Sequence, residues 1–358
     1  MTLSRTLPDL LEGWVGNAPE VRLTGISLDS CRINAGDAFI AVQGIENHGM
    51  EYAGTAVGAG AVAVIHDGLR EPPALGVPSI RINGLGTRLG ELASRFFAAP
   101  SELMTIAGVT GSRGKTDVAH FLAQSWQRVD GHAGMVGALG YGPVGELRNQ
   151  ARMAPDALHL QQILAECVDE GIERLSMEVS SHALRQQLSQ TVQFDAGIFT
   201  NLSHARLGNH SGIDDYAESK RRLFTEYAPS FAIINHDDHY GRKWFGELNG
   251  GMQMLSYGLK GDAELRGEIR SENSLGMSFR ISGPWGSEVV RTGLSGEFNA
   301  SNLLAAAGTL ALLGMPWHQV LHQLEVMQPV PGGMMRLRGD AGQPLVFTDD
   351  VNPPDALE

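Results

Sequence analysis

Cysteine is scarce in this sequence, and long apolar runs are absent from it. The two cysteines, Cys31 and Cys167, are too few and too far apart for a disulfide framework or a cysteine-based zinc site. The N-terminus has no apolar segment of the kind that secretion signals carry, and no apolar run reaches the roughly 18 residues that a membrane-spanning helix needs. We therefore expect a cytoplasmic protein that does not insert into membranes.

Basic residues are also in short supply, since 27 lysines and arginines face 40 aspartates and glutamates and give a formal net charge of -13. Nonspecific nucleic-acid binding requires a cationic surface that displaces counterions, so this charge argues against nucleic acid as a partner. A single loop can still be locally positive and bind a smaller anion. With 358 residues, of which 42% are hydrophobic and 19% charged, the chain is long enough for two or three globular domains.

The most informative segment is residues 105–116, which read TIAGVTGSRGKT. A strand-like stretch leads into a glycine-rich loop, where backbone N–H groups can converge on an anion, and a helix N-terminus adds partial positive charge. The strict phosphate-loop pattern is not met, because Val109 stands where that pattern has its first glycine. We predict a variant triphosphate-binding loop, with a plain glycine-rich turn as the alternative. Its binding residues would be Gly111, Ser112, Gly114, Lys115 and Thr116.

Short apolar runs alternate with helix-like stretches along most of the chain, which predicts an α/β fold with a largely parallel sheet. A boundary near Ala99 and Pro100 separates a small N-terminal α/β block from a larger second block that begins at Met104. Residues 252–294 are punctuated by glycines, so a small antiparallel insert is expected there. The predicted strands are 21–28, 38–42, 61–66, 79–82, 174–179, 196–200 and 231–235, and the predicted helices are 89–97, 116–128, 157–170, 214–227 and 299–313.

Polar residues follow two predicted strands of the second block. Glu178 and Ser180 come at the end of strand 174–179, where a carboxylate could hold Mg²⁺ beside phosphates or could instead be buried against a backbone donor. The loop after strand 196–200 carries His204 and His210, which are either ligand-binding or simply solvated. Lys220 lies on the next predicted helix, and its residue type alone indicates a solvated side chain.

Two asparagines, Asn299 and Asn302, open the alanine-rich helix. One of them fits an ordinary N-cap, whose side chain accepts a hydrogen bond from a free N–H group of the first turn. Two asparagines three residues apart also lie near each other on a helix and could both address a purine ring. Both interpretations stay open from the sequence.

These pieces occur in a fixed order. TGSRGKT is followed by MEVSSHAL, TNLS, a tyrosine four residues before Lys220, FNASN, VPG and an aspartate ahead of PDALE. This order resembles the Mur ligases, and within them the UDP-N-acetylmuramoyl-tripeptide synthetases of the MurE type. The resemblance covers almost the whole chain, because residues 26–30 (ISLDS) and 36–41 (GDAFIA) also resemble that family's uridine-nucleotide domain.

The resemblance implies three parts. Residues 1–103 would be a UDP-sugar-binding-like domain, 104–332 the central ATP-binding domain, and 333–358 a stub of a Rossmann-like third domain that is otherwise absent from the sequence. The implied enzyme uses ATP and Mg²⁺ to join a carboxylate to an amine. Its implied substrate is UDP-N-acetylmuramoyl-L-alanyl-D-glutamate, which receives diaminopimelate or lysine in peptidoglycan synthesis. No protein partner is implied.

Residue roles follow from the same resemblance, position by position. Lys115 would contact phosphate, and Thr116 and Glu178 would bind the first Mg²⁺. Lys220 matches a lysine that family members carbamylate to bind a second Mg²⁺, so Lys115, Glu178 and Lys220 would form the catalytic set. The remaining implied contacts are Asn299 and Asn302 with adenine, Asp349 with ribose, Ser30 with uridine, and Ser180 and Gln186 with the substrate.

Several positions depart from the family pattern. Ser112 and Arg113 replace the usual Thr-Asn inside the loop. Arg206 stands where a metal-binding histidine is expected, and a guanidinium cannot bind a cation. Either Arg206 neutralises phosphate charge itself, or His204 or His210 substitutes as the metal ligand. Further departures lie at positions 117, 153, 154, 188, 333 and 350–352.

Three functions are therefore carried forward. The first is a MurE-type ligase, which would release phosphate in step with ligation. The second is a degenerate Mur-like protein that binds nucleotide or a partner without ligating. The third is an ATPase or kinase-like module with an unrelated substrate, which would release phosphate without the muramoyl acceptor.

Overall fold

A computed structural model describes residues 4–44, 46–149, 155–203, 210–248, 251–332, 335–337 and 346–348, with only the main chain described for the last two ranges. The chain divides into two compact units. The N-terminal unit comprises Met1–Leu103, Pro155–Asp169 and Gln187–Val192, and the central unit comprises Met104–Ala154, Glu170–Gln186 and Gln193–Glu358. Among the helices of the described residues, none combines the length and the apolar character that crossing a bilayer requires.

The N-terminal unit is built on a four-stranded parallel sheet in the order β3-β4-β5-β6, with β1 and β2 forming a separate antiparallel pair. Its elements are β1 (Arg5–Thr6), α1 (Leu7–Leu10), β2 (Arg22–Leu23), β3 (Gly25–Ser27), β4 (Asp37–Ala41), α2 (Ala53–Gly58), β5 (Ala63–His66), β6 (Ser79–Arg81), α3 (Leu89–Phe96) and, from later in the chain, α5 (Ala157–Asp169). The strands and the helix predicted for this block are present, except that the predicted strand 21–28 is two short strands, β2 and β3, in different sheets.

Strand β4 shows why this sheet forms. Its sequence DAFIA is buried throughout, because both faces of the sheet are covered. Ala38 and Ile40 belong to one hydrophobic cluster with residues of α1, α3 and α5, whereas Phe39 and Ala41 belong to another with residues of α2. Alternate residues of a strand point to opposite faces, so one short apolar strand serves two cores.

The central unit is built on a single ten-stranded sheet. Its strands are β7 (Thr105–Thr110), β8 (Ala133–Gly137), β9 (Gly140–Pro143), β10 (Arg174–Glu178), β11 (Ala196–Phe199), β12 (Phe231–Asn235), β13 (Gln253–Gly258), β14 (Leu265–Asn273), β15 (Gly276–Gly283) and β16 (Gly286–Thr292). Its helices are α4 (Lys115–Asp130), α6 (Ser181–Arg185), α7 (Ile213–Thr225), α8 (His239–Glu247), α9 (Glu297–Leu312) and α10 (Trp317–Glu325), and β17 (Met335–Leu337) pairs with β18 (Val346–Thr348) in a separate sheet.

The sheet order is β16-β15-β14-β13-β12-β11-β7-β10-β8-β9. Neighbouring strands from β14 to β8 are parallel, and the antiparallel pairs are β14–β15, β15–β16 and β8–β9. The predicted α/β class with a largely parallel sheet is confirmed. The expected small antiparallel insert at 252–294 is corrected, because β13 and β14 extend the parallel sheet and the antiparallel pairing of β14, β15 and β16 continues that same sheet.

Helix α9 has almost no solvent-facing side. Every residue from Asn299 to Leu310 except Ser301 is buried, and the helix packs on α4 and on the sheet in the main hydrophobic cluster of this unit. A helix that is apolar on every side belongs in an interior, which explains its run of alanines and leucines. Neither asparagine caps it, because the N-cap is Gly296 and Asn299 already lies in the first turn. The N-cap interpretation of Asn299 is therefore wrong.

Candidate functional site

Three stretches that are distant in the sequence meet at one edge of the central sheet. Strand β7 lies between β10 and β11, and all three are parallel. The predicted phosphate loop follows β7, Glu178 ends β10, and Thr200 follows β11. The carboxyl ends of neighbouring parallel strands are where ligands bind in folds of this class.

The loop after β7 depends on two glycines. Gly111 has a φ of 151° and Gly114, which immediately precedes α4, has a φ of 78°. A Cβ atom at Gly111 would overlap the Thr200 hydroxyl, and one at Gly114 would lie 2.5 Å from Asn302 Oδ1. The first N–H groups of a helix lack partners within the helix, so this closely backed loop suits an anion.

The TNLS segment after β11 holds the loop in place. The Thr200 hydroxyl donates to the Arg113 carbonyl at 2.6 Å, and Asn201 Oδ1 accepts from the Arg113 N–H at 3.0 Å. The Ser203 N–H donates to Ser112 Oγ at 2.9 Å. The sequence interpretation gave these TNLS residues no role. Two hydroxyls and one amide next to a strand end could have indicated hydrogen bonds to a neighbouring loop.

Two lysines place their ammonium groups on the same carbonyl oxygen. Lys115 Nζ donates to the Gly111 carbonyl at 3.1 Å and to that of Ser112 at 3.3 Å, and Lys220 Nζ donates to the Gly111 carbonyl at 2.9 Å. Lys220 is only 1% exposed, and its ammonium lies 4.3 Å from the ring centroid of Tyr216. The expectation of a solvated Lys220 is therefore wrong. Two positive charges at the phosphate loop favour a polyanionic ligand.

A hydroxyl and a carboxylate form the candidate metal pair. Thr116 Oγ1 donates to Glu178 Oε2 at 3.0 Å, and the Ala138 N–H donates to Glu178 Oε1 at 2.8 Å. Glu178 does meet a backbone donor, although it is only half-buried, and its role in binding Mg²⁺ stays a prediction. The described ranges contain no group of three metal-binding side chains. Mg²⁺ usually takes one or two protein oxygens and completes its octahedron with phosphates and waters, so these donors fit it.

His210 has no ring nitrogen left for a metal. Its Nε2 lies 3.1 Å from Ser181 Oγ and its Nδ1 lies 3.3 Å from Asp215 Oδ2. The side chain is 7% exposed and its ring lies 5.0 Å from that of Tyr216. The idea that His210 replaces the missing metal-binding histidine does not fit this bonding. The other candidate, His204, and the substituted Arg206 lie outside the described residues.

The two asparagines of α9 have different surroundings. Asn302 is buried with its Oδ1 close to the Cα of Gly114, so it lies against the phosphate loop. Asn299 is also buried, and its Nδ2 donates to the Ser295 carbonyl at 2.7 Å. Helix α9 therefore brings one predicted nucleotide contact to the loop and ties the other to the helix start.

The other predicted positions lie at helix ends or in the N-terminal unit. Ser180 is the N-cap of α6, where its Oγ accepts from the Ala183 N–H at 3.1 Å, and Gln186 is the C-cap of that helix. Ser30 is buried and begins a one-turn 3₁₀ helix in the N-terminal unit. Asp349 lies outside the described residues.

The N-terminal unit contains a cavity of about 450 Å³. It is lined by the segment around β3 and by α3 and α5, and its charged lining is mostly acidic, since Arg32 and His159 face five carboxylates. The carboxylates are those of Asp29, Asp37, Asp156, Glu166 and Asp169. Such a lining does not favour a diphosphate, and Ser30 does not belong to it.

Both units of the chain are similar in sequence to known proteins. The family description "Mur ligase middle domain" matches residues 109–310, and "Mur ligase family, catalytic domain" matches residues 22–97. The chain is 37% identical over 364 residues to UDP-N-acetylmuramoyl-L-alanyl-D-glutamate--2,6-diaminopimelate ligase of Xylella fastidiosa (strain Temecula1 / ATCC 700964), covering 100% of this chain and 72% of that protein. A protein of the same name from Alkalilimnicola ehrlichii (strain ATCC BAA-1101 / DSM 17681 / MLHE-1) is 38% identical over 365 residues, with 98% and 73% covered.

Solved structures agree with these sequence relatives. A structure of UDP-N-acetylmuramoyl-L-alanyl-D-glutamate--2,6-diaminopimelate ligase has a TM-score of 0.83 at 26% identity, covering 99% of this chain and 72% of that one. MurF from Acinetobacter baumannii shares the fold, with a TM-score of 0.73 at 21% identity over 99% of this chain and 74% of its own. The resemblance drawn from the ordered motifs is confirmed: this chain belongs to the Mur ligase family.

Proposed function

We propose that this chain is an ATP-dependent ligase of the MurE type, which adds a diamino acid to UDP-N-acetylmuramoyl-L-alanyl-D-glutamate in peptidoglycan synthesis. The observation that carries the proposal is the meeting of Lys115 and Lys220 on one loop carbonyl, beside the Thr116–Glu178 pair. The relatives at 37–38% identity carry the name of that reaction with diaminopimelate. Lysine is the other diamino acid that fits the same chemistry.

The proposed reaction proceeds in two displacements. An oxygen of the substrate carboxylate attacks the γ-phosphorus of ATP, which forms an acyl phosphate and releases ADP. The amine of the diamino acid then attacks the acyl carbon, losing a proton as the amide bond forms and inorganic phosphate leaves. Phosphoryl transfer of this kind depends mainly on positioning and charge neutralisation, so cations at the loop carry most of the catalysis.

Each cationic or metal-binding residue then has a role. The backbone N–H groups of the loop and Lys115 would hold the β- and γ-phosphates. Thr116 and Glu178 would hold Mg²⁺, whose chemistry here is to neutralise phosphate charge. Asn302, which lies against Gly114, would orient the nucleotide together with Asn299, and Asp349 would contact the ribose.

Lys220 would act after carbamylation, in which its neutral amine adds to CO₂ and releases a proton. Its ammonium shares the Gly111 carbonyl with that of Lys115, so two like charges lie close together in a buried place. A carbamate would turn this repulsive pair into an attractive one, which favours the modification. The resulting carboxylate would then be available to a second Mg²⁺ beside the phosphates.

We assign the remaining parts in the same way. Residues 1–103 would bind the uridine nucleotide, with Ser30 as a contact, and residues 104–332 would bind ATP. Ser180 and Gln186 would contact the peptide part of the substrate, and residues 333–358 would begin the ligase domain. In a Mur ligase these roles call for a cytoplasmic enzyme, since ATP and UDP-linked precursors are its substrates.

The test is a coupled assay with purified protein, ATP, Mg²⁺, the UDP-muramoyl dipeptide and either diaminopimelate or lysine. Phosphate release should match the amide product, and omission of the amino acid should stop sustained turnover. ADP binding without any phosphate release would favour a nucleotide-binding protein that does not ligate, for which the arginine at position 206 is the motivating observation. Phosphate release without the muramoyl acceptor would indicate an unrelated substrate.

A further inference from the structure

His210 lies at the junction of two helices in the central unit. Its ring joins Ser181, the first residue of α6, to Asp215 in the first turn of α7. A hydrogen bond from the Ser211 N–H, followed by the hydrogen bond from His210 and the charge of Arg185, lowers the pKa of Asp215. An ionised carboxylate can only accept, so Nδ1 of His210 donates to Asp215, while its Nε2 lies against the Ser181 hydroxyl.

The contacts continue from His210 to the phosphate loop. The His210 ring lies 5.0 Å from the ring of Tyr216, which is 5% exposed. The Ser112 hydroxyl lies 3.4 Å from the Tyr216 hydroxyl, and the Lys220 ammonium lies over the Tyr216 ring at 4.3 Å. Lys220 in turn donates to the Gly111 carbonyl at 2.9 Å. One side of the loop is thus backed by a continuous series of buried contacts that starts at His210.

We propose that His210 is a positioning residue: it holds Tyr216, and through it Ser112 and Lys220, in the arrangement that binds nucleotide. The inference rests on the proposed nucleotide site and adds a residue to it. Both ring nitrogens of His210 have protein partners, and its effect on nucleotide binding passes through the Tyr216 ring. A positioning role affects nucleotide binding with or without a divalent cation, whereas a role as a metal ligand would affect it only when the cation is present.

Calorimetric titration with ADP separates these two roles. In the wild type and in His210→Ala, ADP is titrated once with Mg²⁺ and once with EDTA. The loss of positioning should weaken ADP binding about fivefold in both buffers, which corresponds to about 1 kcal/mol and lies within the usual range of coupling between contacting residues. If His210 instead bound a metal, His210→Ala would weaken ADP binding only in the buffer with Mg²⁺.

His48→Ala is the matched control. His48 is also a buried histidine paired with an aspartate, since its Nε2 lies 2.9 Å from Asp67 Oδ1, but it belongs to the N-terminal unit. Its loss should lower the free energy of unfolding and leave ADP affinity unchanged. His210→Gln, which can still reach Ser181, and Tyr216→Phe, which keeps the ring, should each weaken ADP binding less than His210→Ala. These milder variants also serve if His210→Ala does not fold.

Three results would overturn the proposal. A loss confined to the Mg²⁺ buffer would make His210 a metal ligand, and unchanged affinity in both buffers would make it a structural residue. An equal loss in His48→Ala would attribute the effect to general destabilisation. If the wild type itself does not bind ADP in either buffer, the proposed function fails, which is a different result from normal ADP binding that is indifferent to position 210.

Discussion

At the scale of single residues, the site is dominated by cations that already have partners within the loop. The ammonium of Lys115 donates to two loop carbonyls, and that of Lys220 donates to one of the same two. An incoming polyphosphate offers the Lys115 ammonium a stronger, charged acceptor than a neutral carbonyl. The exchange of carbonyl for phosphate partners at Lys115 is therefore favourable.

Lys115→Ala should raise the dissociation constant for ATP at least about tenfold, because a hydrogen bond to a charged group contributes about 1.5–3 kcal/mol. Calorimetry with ATP and Mg²⁺ measures the change. Lys243→Ala is the control, since this exposed lysine lies on α8 and outside the loop. Equal affinities in the wild type and in Lys115→Ala would mean that the loop is only a structural turn.

The sequence predicted the location of some of these side chains and not of others. The location of Lys115 and Thr116 at a helix start behind a glycine-rich loop could be predicted, because glycine spacing and the change from strand to helix are local features. The burial of Lys220 could not be, since a lysine on a helix is usually solvated and only tertiary packing under the loop removes it from water. The contacts of Thr200 and Asn201 with Arg113 likewise depend on which strands are neighbours.

At the scale of elements, helix α4 begins and ends with a glycine in the left-handed region. Gly114 precedes it with a φ of 78°, and Gly131 follows it with a φ of 76°. The conformational strain that a side chain would cause is therefore nearly the same at both ends. The surroundings differ, because a Cβ at Gly114 would lie 2.5 Å from Asn302 Oδ1, whereas one at Gly131 would meet nothing within 4 Å.

Gly114→Ala and Gly131→Ala form a matched pair of variants. Each should lower the free energy of unfolding by about 1–2 kcal/mol, because alanine is strained in the left-handed region. Only Gly114→Ala should also weaken ADP binding, since the new methyl group displaces the Asn302 amide at the loop. Urea unfolding and calorimetry measure the two effects. A similar loss of ADP affinity in both variants would contradict this account of the loop.

The same helix carries a histidine that stays neutral. Burial, together with the charge of Arg128, lowers the pKa of His120 to about 4, and Gln124 Nε2 donates to its Nδ1 at 2.7 Å. The unfolded chain takes up a proton near pH 6.5 and the folded chain does not. Stability from this residue is therefore fully present above pH 6.5 and is lost as the pH falls toward 4.

Between pH 7.5 and 5, this difference should cost the wild type about 2 kcal/mol of unfolding free energy. His120→Asn keeps an acceptor for Gln124 but has no titrating side chain at this position. The fall in its unfolding free energy over the same interval should be about 2 kcal/mol smaller than that of the wild type. Urea unfolding at the two pH values gives the comparison, and the value at pH 7.5 is the internal reference. Parallel losses in both proteins would show that His120 does not stay neutral in the fold.

The apolar periodicity of the sequence predicted the helices and strands well. It predicted less well which strands are neighbours in the sheet. The strands that flank the loop and the long helices followed from apolar patterns that need no knowledge of neighbours. The start of α9 was misread because glycine, and not asparagine, occupies its N-cap. Helices α8 and α10 were not predicted. Both have nine residues, and α10 has no side-chain N-cap, whereas the N-cap Asp238 was an available start signal for α8.

At the scale of the whole molecule, ordered motifs carried more information than composition. Composition and charge argued against nonspecific nucleic-acid binding and favoured a globular protein, but they did not distinguish among nucleotide-binding folds. The order of the motifs predicted membership of the Mur ligase family, which is confirmed by relatives at 37–38% identity. The continuation of the parallel sheet through β13 and β14 could not be predicted, because sheet neighbours are decided by long-range pairing.

The claim on which the whole account depends is that residues 111–116 bind the phosphates of ATP. A crystal structure of the protein with a non-hydrolysable ATP analogue and Mg²⁺ tests it directly. We predict β- and γ-phosphates within hydrogen-bond distance of the loop N–H groups and of Lys115, with density for the cation between Thr116 and Glu178. An analogue bound elsewhere on the protein, with this loop still closed on its own lysine, would contradict the account.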